Sequence, residues 1–113
     1  MEGKHMKFRK FKFISFEEWD NNGRECKTKI GDYTCRIGFL CQINKNYLPE
    51  KYVYKIAISK NENPLSDYSD SIFSDVFEWD IKNKETLKKW YEEATKNANK
   101  EWANFMMKKY TNV

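Results

Sequence analysis

The chain has 113 residues and a formal net charge of +4, from 21 Lys+Arg against 17 Asp+Glu. That length holds one domain with one core and excludes large enzyme folds such as the (β/α)₈ barrel. Leu, Ile, Val and Phe together number only 23, near the level at which chains lose order, but there are 19 aromatic residues. Each ring can bury about 150–250 Å², so an aromatic-rich core is expected.

Met1-Glu2-Gly3-Lys4-His5 stands ahead of a second methionine, Met6. A His-Met pair is what a common cloning site encodes. Residues 1–5 therefore read as a cloning scar, and residues 6–113 as a single α+β domain. His5 is the only histidine.

Lys7–Phe16 interleaves cations with rings. The alternation of Phe11 and Phe13 suggests a first strand, with a bulge or strand end at Ile14. Ser15-x-x-Glu18 offers the alternative of a capping box for one helical turn through Trp19. Asp20-Asn21-Asn22-Gly23 is a turn signal. Arg24–Ile30 reads as a short strand with Cys26, Thr28 and Ile30 on one side, and Gly31-Asp32 as a second turn. Tyr33–Ile43 carries apolar residues or cysteine at every odd position and predicts a strand with one buried face. Lys51–Lys60 alternates again through Tyr52, Tyr54, Ile56 and Ile58. Asn61–Asp70 contains Pro64 and no cation, and reads as a loop. Ile72–Ile81 can form a last strand with Phe77, Trp79 and Ile81 on one face.

From Lys84 the period becomes helical. Leu87, Tyr91, Ala94, Ala98, Trp102 and Phe105 recur at spacings of three and four. Asn83 is a suitable N-cap, Glu85 suits the positive helix end and Lys108-Lys109 the negative one. The two alanines would let the helix approach a sheet closely, with Trp90 and Trp102 on either side. The expected fold is α+β: an antiparallel meander of four to five strands, followed by one long C-terminal helix packed on one face.

The motifs of common chemistries are missing. A single histidine in the suspected scar leaves no Ser-His or Cys-His pair. Cys26, Cys35 and Cys41 lack zinc-type spacing, and no glycine-rich phosphate loop occurs. The Asp20–Gly23 turn only faintly echoes a calcium loop. Cys35 and Cys41 read as buried packing residues in register with Ile37 and Phe39. Cys26, beside Lys27 and near Arg24, is the sole candidate for a reactive thiol. Glu78 and Asp80, with Asp75 nearby, form the one carboxylate set suited to acid/base work; a solvated strand face explains them better. No catalytic residue, cofactor or metal is assigned, and an enzyme is not expected.

Charge is unevenly distributed. Residues 1–12 carry a net +4, and residues 61–80 carry six carboxylates and no cation. Two candidate surfaces follow. Glu62, Asp67, Asp70, Asp75, Glu78 and Asp80 form an acidic candidate that would dock a basic partner. Lys7, Arg9, Lys10 and Lys12 form a basic candidate, interleaved with rings as in single-strand nucleic-acid binders. The first expectation is a non-enzymatic protein that binds another protein, with an inhibitor or accessory factor as the model. The alternative is a nucleic-acid-binding domain using the basic segment. Self-association through an open sheet edge is a further option. Lys outnumbers Arg 18 to 3 and there are 11 Asn, a bias that fits an AT-rich bacterial, phage or mobile-element genome. No apolar run of about 18 residues is present. No signal peptide is visible and the cysteine count is odd, so the expected compartment is the cytoplasm, with reduced thiols and no membrane contact.

Overall fold

A computed structural model describes residues 8–45, 48–66, 71–80 and 83–111. The element order is α1 (Phe16–Asn21), β1 (Cys26–Ile30), β2 (Tyr33–Lys45), β3 (Leu48–Ser59), β4 (Phe73–Asp80) and α2 (Lys84–Thr111). The four strands form one antiparallel sheet in sequence order, β1-β2-β3-β4. The long helix packs on one face of it, so the predicted meander and capping helix are both present.

The first predicted strand is absent. Residues 8–15 form no ladder, and the capping box prevails: Glu18 N–H donates to the Ser15 hydroxyl at 3.1 Å and opens α1. Phe16 and Trp19 are the buried residues of this short helix. Helix α1 ends through Gly23 and Arg24, at φ 79° and 58°. Glycine takes that conformation freely, whereas arginine loses about 1 kcal/mol or more. The Arg24 guanidinium compensates. It donates to Asp20 at 2.7 Å and to the Tyr54 hydroxyl at 2.8 Å, and lies 4.4 Å from the Trp79 ring centroid.

Register assigns the faces. Cys26, Thr28 and Ile30 join Cys35, Ile37, Tyr54, Ile56, Ile58 and Trp79 under α2. From the helix, Leu87, Tyr91, Ala94, Ala98 and Trp102 are buried against them. Trp90 stacks on Phe77 toward β4, at 5.3 Å, while Trp102 meets Phe11 and Tyr33 on the other flank. Asn83 caps α2, its side-chain oxygen accepting from Thr86 N–H. The opposite sheet face is partly roofed by the turn after β3. Arg36 donates to Asn63, Asn61 N–H donates to Ser59, and Leu65 is buried. Gly38 leaves the space that the Glu25 carboxylate needs to fork onto Arg36.

One bulge corrects the odd-position reading of β2. Phe39 pairs with Tyr54, but Cys41 pairs with Val53, so Leu40 is an extra residue. An inserted residue inverts the parity of everything after it. Cys41 and Ile43 therefore turn to the face away from α2 and are exposed. Phe39 keeps its side but is 44% exposed, edge-on to Tyr52 and Tyr54.

Ala98 is fully buried, and Lys96 on the same helix is exposed. Ala98→Glu should cost about 3 kcal/mol or more, because it buries an unpaired charge in a close contact. Lys96→Glu should stay within about 1 kcal/mol. Thermal melts of the two variants, read side by side, check this; equal melting temperatures would contradict the packing of α2.

Candidate functional site

The N-terminal segment owes its place to α2. Asn99 accepts from Phe11 N–H at 2.7 Å and donates back to the Phe11 carbonyl at 3.0 Å. Trp102 Nε1 donates to the Arg9 carbonyl at 2.9 Å, and the Tyr91 hydroxyl donates to the Ile14 carbonyl at 2.6 Å. Residues 91, 99 and 102 recur at helical spacing on one flank. They give the backbone of 9–14 the partners that a neighbouring strand would have supplied. Phe11 is buried edge-on to Trp102, with centroids 5.1 Å apart. With Phe11 turned in, Lys10 and Lys12 point out to solvent.

Between this segment and β1 lies an open depression of about 330 Å³, lined by Arg9, Lys10, Lys12, Thr28, Lys29 and Ile30. Four cations line it and, among the described residues, no carboxylate does. Lys29 reaches Glu62 at 2.6 Å, in a pair exposed on both sides that salt readily screens. The Lys29 ammonium holds the Glu62 carboxyl below its usual range. Among the described residues no carboxylate pairs with Arg9, Lys10 or Lys12. A second, larger depression of about 510 Å³ lies against α2, where Phe8, Trp102, Ala103 and Met107 meet the other side of Arg9 and Lys10. Nearby, Phe8 stacks on Tyr110, and Lys60 and Lys109 lie over the Tyr33 ring. Of the basic candidates, Arg9, Lys10 and Lys12 share one surface; Lys7 lies outside the described residues.

The acidic candidates are distributed differently. Asp67 and Asp70 lie outside the described residues. Asp75 is on the α2 face of β4 and accepts from Trp90 Nε1 at 2.7 Å. Glu78 and Asp80 are on the opposite face, where Glu78 pairs with Lys51 at 2.8 Å. Glu62 is beside β1. A strand alternates its side chains, so Asp75 cannot join Glu78 and Asp80 as an acid/base pair. Asp20, from the turn that echoed a calcium loop, is engaged by Arg24 and by Lys84 at 2.6 Å. Burial opposes its ionisation, but these two hydrogen bonds outweigh it and lower its pKa.

The thiols follow the bulge. All three cysteines are free: Cys35 buried, Cys26 half-buried and Cys41 exposed. Burial pushes the Cys26 thiol up to about 11, despite a hydrogen bond with Tyr91 that acts in the other direction. Burial raises Cys35 as well. Cys26 is therefore a poor nucleophile near neutral pH, and the reactive-thiol reading of it does not stand. The buried-packing reading holds for Cys35 and fails for Cys41.

Comparisons of the chain with protein-family models, with curated proteins and with solved structures give no match.

Two residues of this surface escape a reading by motif. Lys29 joins the cations only through the fold. Asn99 had one signal: a polar residue between Ala98 and Trp102 on the edge of the buried stripe needs a partner.

Two measurements check this geometry. Iodoacetamide on the native protein at about pH 8 should modify Cys41 first and Cys35 last, with three thiols modified after denaturation without reductant. Labelling of Cys35 at the rate of Cys41 would contradict the bulge. Asn99→Leu leaves the Phe11 N–H and carbonyl without partners, a loss of about 1–3 kcal/mol. Trypsin should then cut after Lys10 and Lys12 faster than in the wild type, while an unchanged rate would mean that the segment is held by packing alone.

Proposed function

We propose that this chain is a small non-enzymatic binding protein that docks a polyanionic macromolecule on the surface formed by Arg9, Lys10, Lys12 and Lys29. The observation that carries this reading is the depression lined by those four cations; among the described residues no carboxylate lines it, and Glu62 reaches only Lys29, in an exposed pair. A cluster of like charges disfavours itself until a counter-charge arrives. The segment bearing three of these cations is fixed by hydrogen bonds between its backbone and α2 side chains, so little ordering entropy is lost on binding.

The acidic surface, the docking candidate for a basic protein partner, has weaker support. Asp75 is committed to Trp90, Glu78 to Lys51 and Glu62 to Lys29. The raised Cys26 and Cys35 thiols and the separated carboxylates give catalysis no support in turn.

Heparin affinity chromatography tests the reading. Replacing Arg9, Lys10, Lys12 and Lys29 with Gln should lower the eluting salt concentration markedly. A control replacing Lys51, Lys84, Lys88 and Lys89 with Gln removes the same charge from elsewhere and should elute close to the wild type. Equal losses in the two variants would reduce the effect to net charge and remove the site.

A further inference from the structure

We infer that the two depressions flanking Arg9 and Lys10 act together as a seat for single-stranded nucleic acid, with phosphates in the cationic one and a base in the apolar one. This rests on the polyanion-binding reading and names the partner. Arg9 and Lys10 line both depressions, so a cationic site and an apolar site share one wall. The apolar site, about 510 Å³, lies within the size range of small-molecule pockets. Phe8, Trp102, Ala103 and Met107 give it a mostly apolar lining with two rings.

A partner with only negative charge, such as an acidic peptide or a sulfated polysaccharide, would occupy the cations and leave that second depression in water. A nucleotide carries both complements, one anionic phosphate and one flat ring, a bond network apart. A duplex keeps its ring faces stacked inside, so an apolar seat beside the cations selects unpaired bases. The last turns of α2 fit the same requirement. Met107 is 52% exposed and Tyr110 54% exposed, with Tyr110 stacked on Phe8 at 5.9 Å and 13°. Partly exposed apolar groups beside cations are what base stacking uses. Readout of particular bases is not expected. Bidentate base contacts rely mainly on Arg, and Arg9 is the one arginine on either wall.

Fluorescence anisotropy with three probes tests the inference: a short oligothymidylate, an abasic strand of the same length, and labelled heparin. The oligothymidylate should bind with a dissociation constant in about the micromolar range at physiological salt. Its log–log salt slope should reach about −2 to −3 if all four cations meet phosphates, at about −0.7 each. The abasic strand should bind about fivefold or more weakly, the effect of losing one stacked base. Phe8→Ala should bring the oligothymidylate to the abasic level and leave heparin unchanged. Met107→Gln, at an exposed position, should weaken the oligothymidylate selectively as well. Equal affinity for base-bearing and abasic strands, with both lost in the four-Gln variant, would overturn this inference and leave the polyanion site standing. Binding of all three probes that survives the four-Gln variant would overturn both.

Discussion

The amide of Asn99 decides how this molecule is assembled. Through its oxygen and nitrogen it closes two hydrogen bonds on the backbone of Phe11, across 88 residues of sequence. An extended segment without a sheet partner has unsatisfied N–H and carbonyl groups, which are costly to bury. One side-chain amide has the donor and acceptor geometry to satisfy both groups of one residue. Once Phe11 is fixed, its ring can enter the core beside Trp102, and Trp102 can donate to Arg9 one turn further along. The cations on either side of Phe11 are then displayed in a set direction. The basic surface is thus a consequence of a hydrogen bond on its buried side.

The four tryptophans extend the same logic to the rest of the fold. A chain poor in aliphatic residues fills its core with rings whose N–H groups must not be stranded. Trp19 Nε1 donates to the Ile37 carbonyl and ties α1 to β2. Trp79 donates to the Asn83 carbonyl at the entry to α2, and Trp90 donates to Asp75 on β4. Trp102 ties α2 to the N-terminal segment. Each indole contributes apolar area to the core and a polar link between two elements. This is how a small sheet and its two helices acquire defined relative positions without many aliphatic contacts.

Much of this was legible in the sequence, for a physical reason. The strands β2 and β3 and the helix α2 show periods of two and of 3.6, and burial of one face enforces those periods. The buried stripe through Leu87, Ala94, Ala98 and Trp102 is read directly from spacing. Three features were not legible. Segment 8–15 alternates like a strand, but alternation records only which side chains are buried, and a helix flank can bury Phe11 as well as a sheet can. The bulge at Leu40 changes the meaning of every later odd position, yet no residue type marks it, because the register is set by pairing with β3. The separation of Asp75 from Glu78 follows from parity once β4 is placed. It is invisible when carboxylates are grouped by proximity along the chain.

Charge shows the same gap between sequence and space. Residues 61–80 form the most strongly charged stretch by count, yet three of those carboxylates are matched locally by an indole and two lysines. The basic stretch carries a smaller net charge but keeps its cations together. Phe11 turns inward and leaves Lys10 and Lys12 exposed, and these line one depression with Arg9 and with Lys29 of β1, whose ammonium pairs with Glu62. Potential at a surface depends on how many like charges share it and on whether opposite charges are within screening distance. The stretch with fewer charges therefore keeps more of them on one surface. The pinned backbone holds them there, because a free segment would spread the same cations over many orientations and weaken the field at any one point.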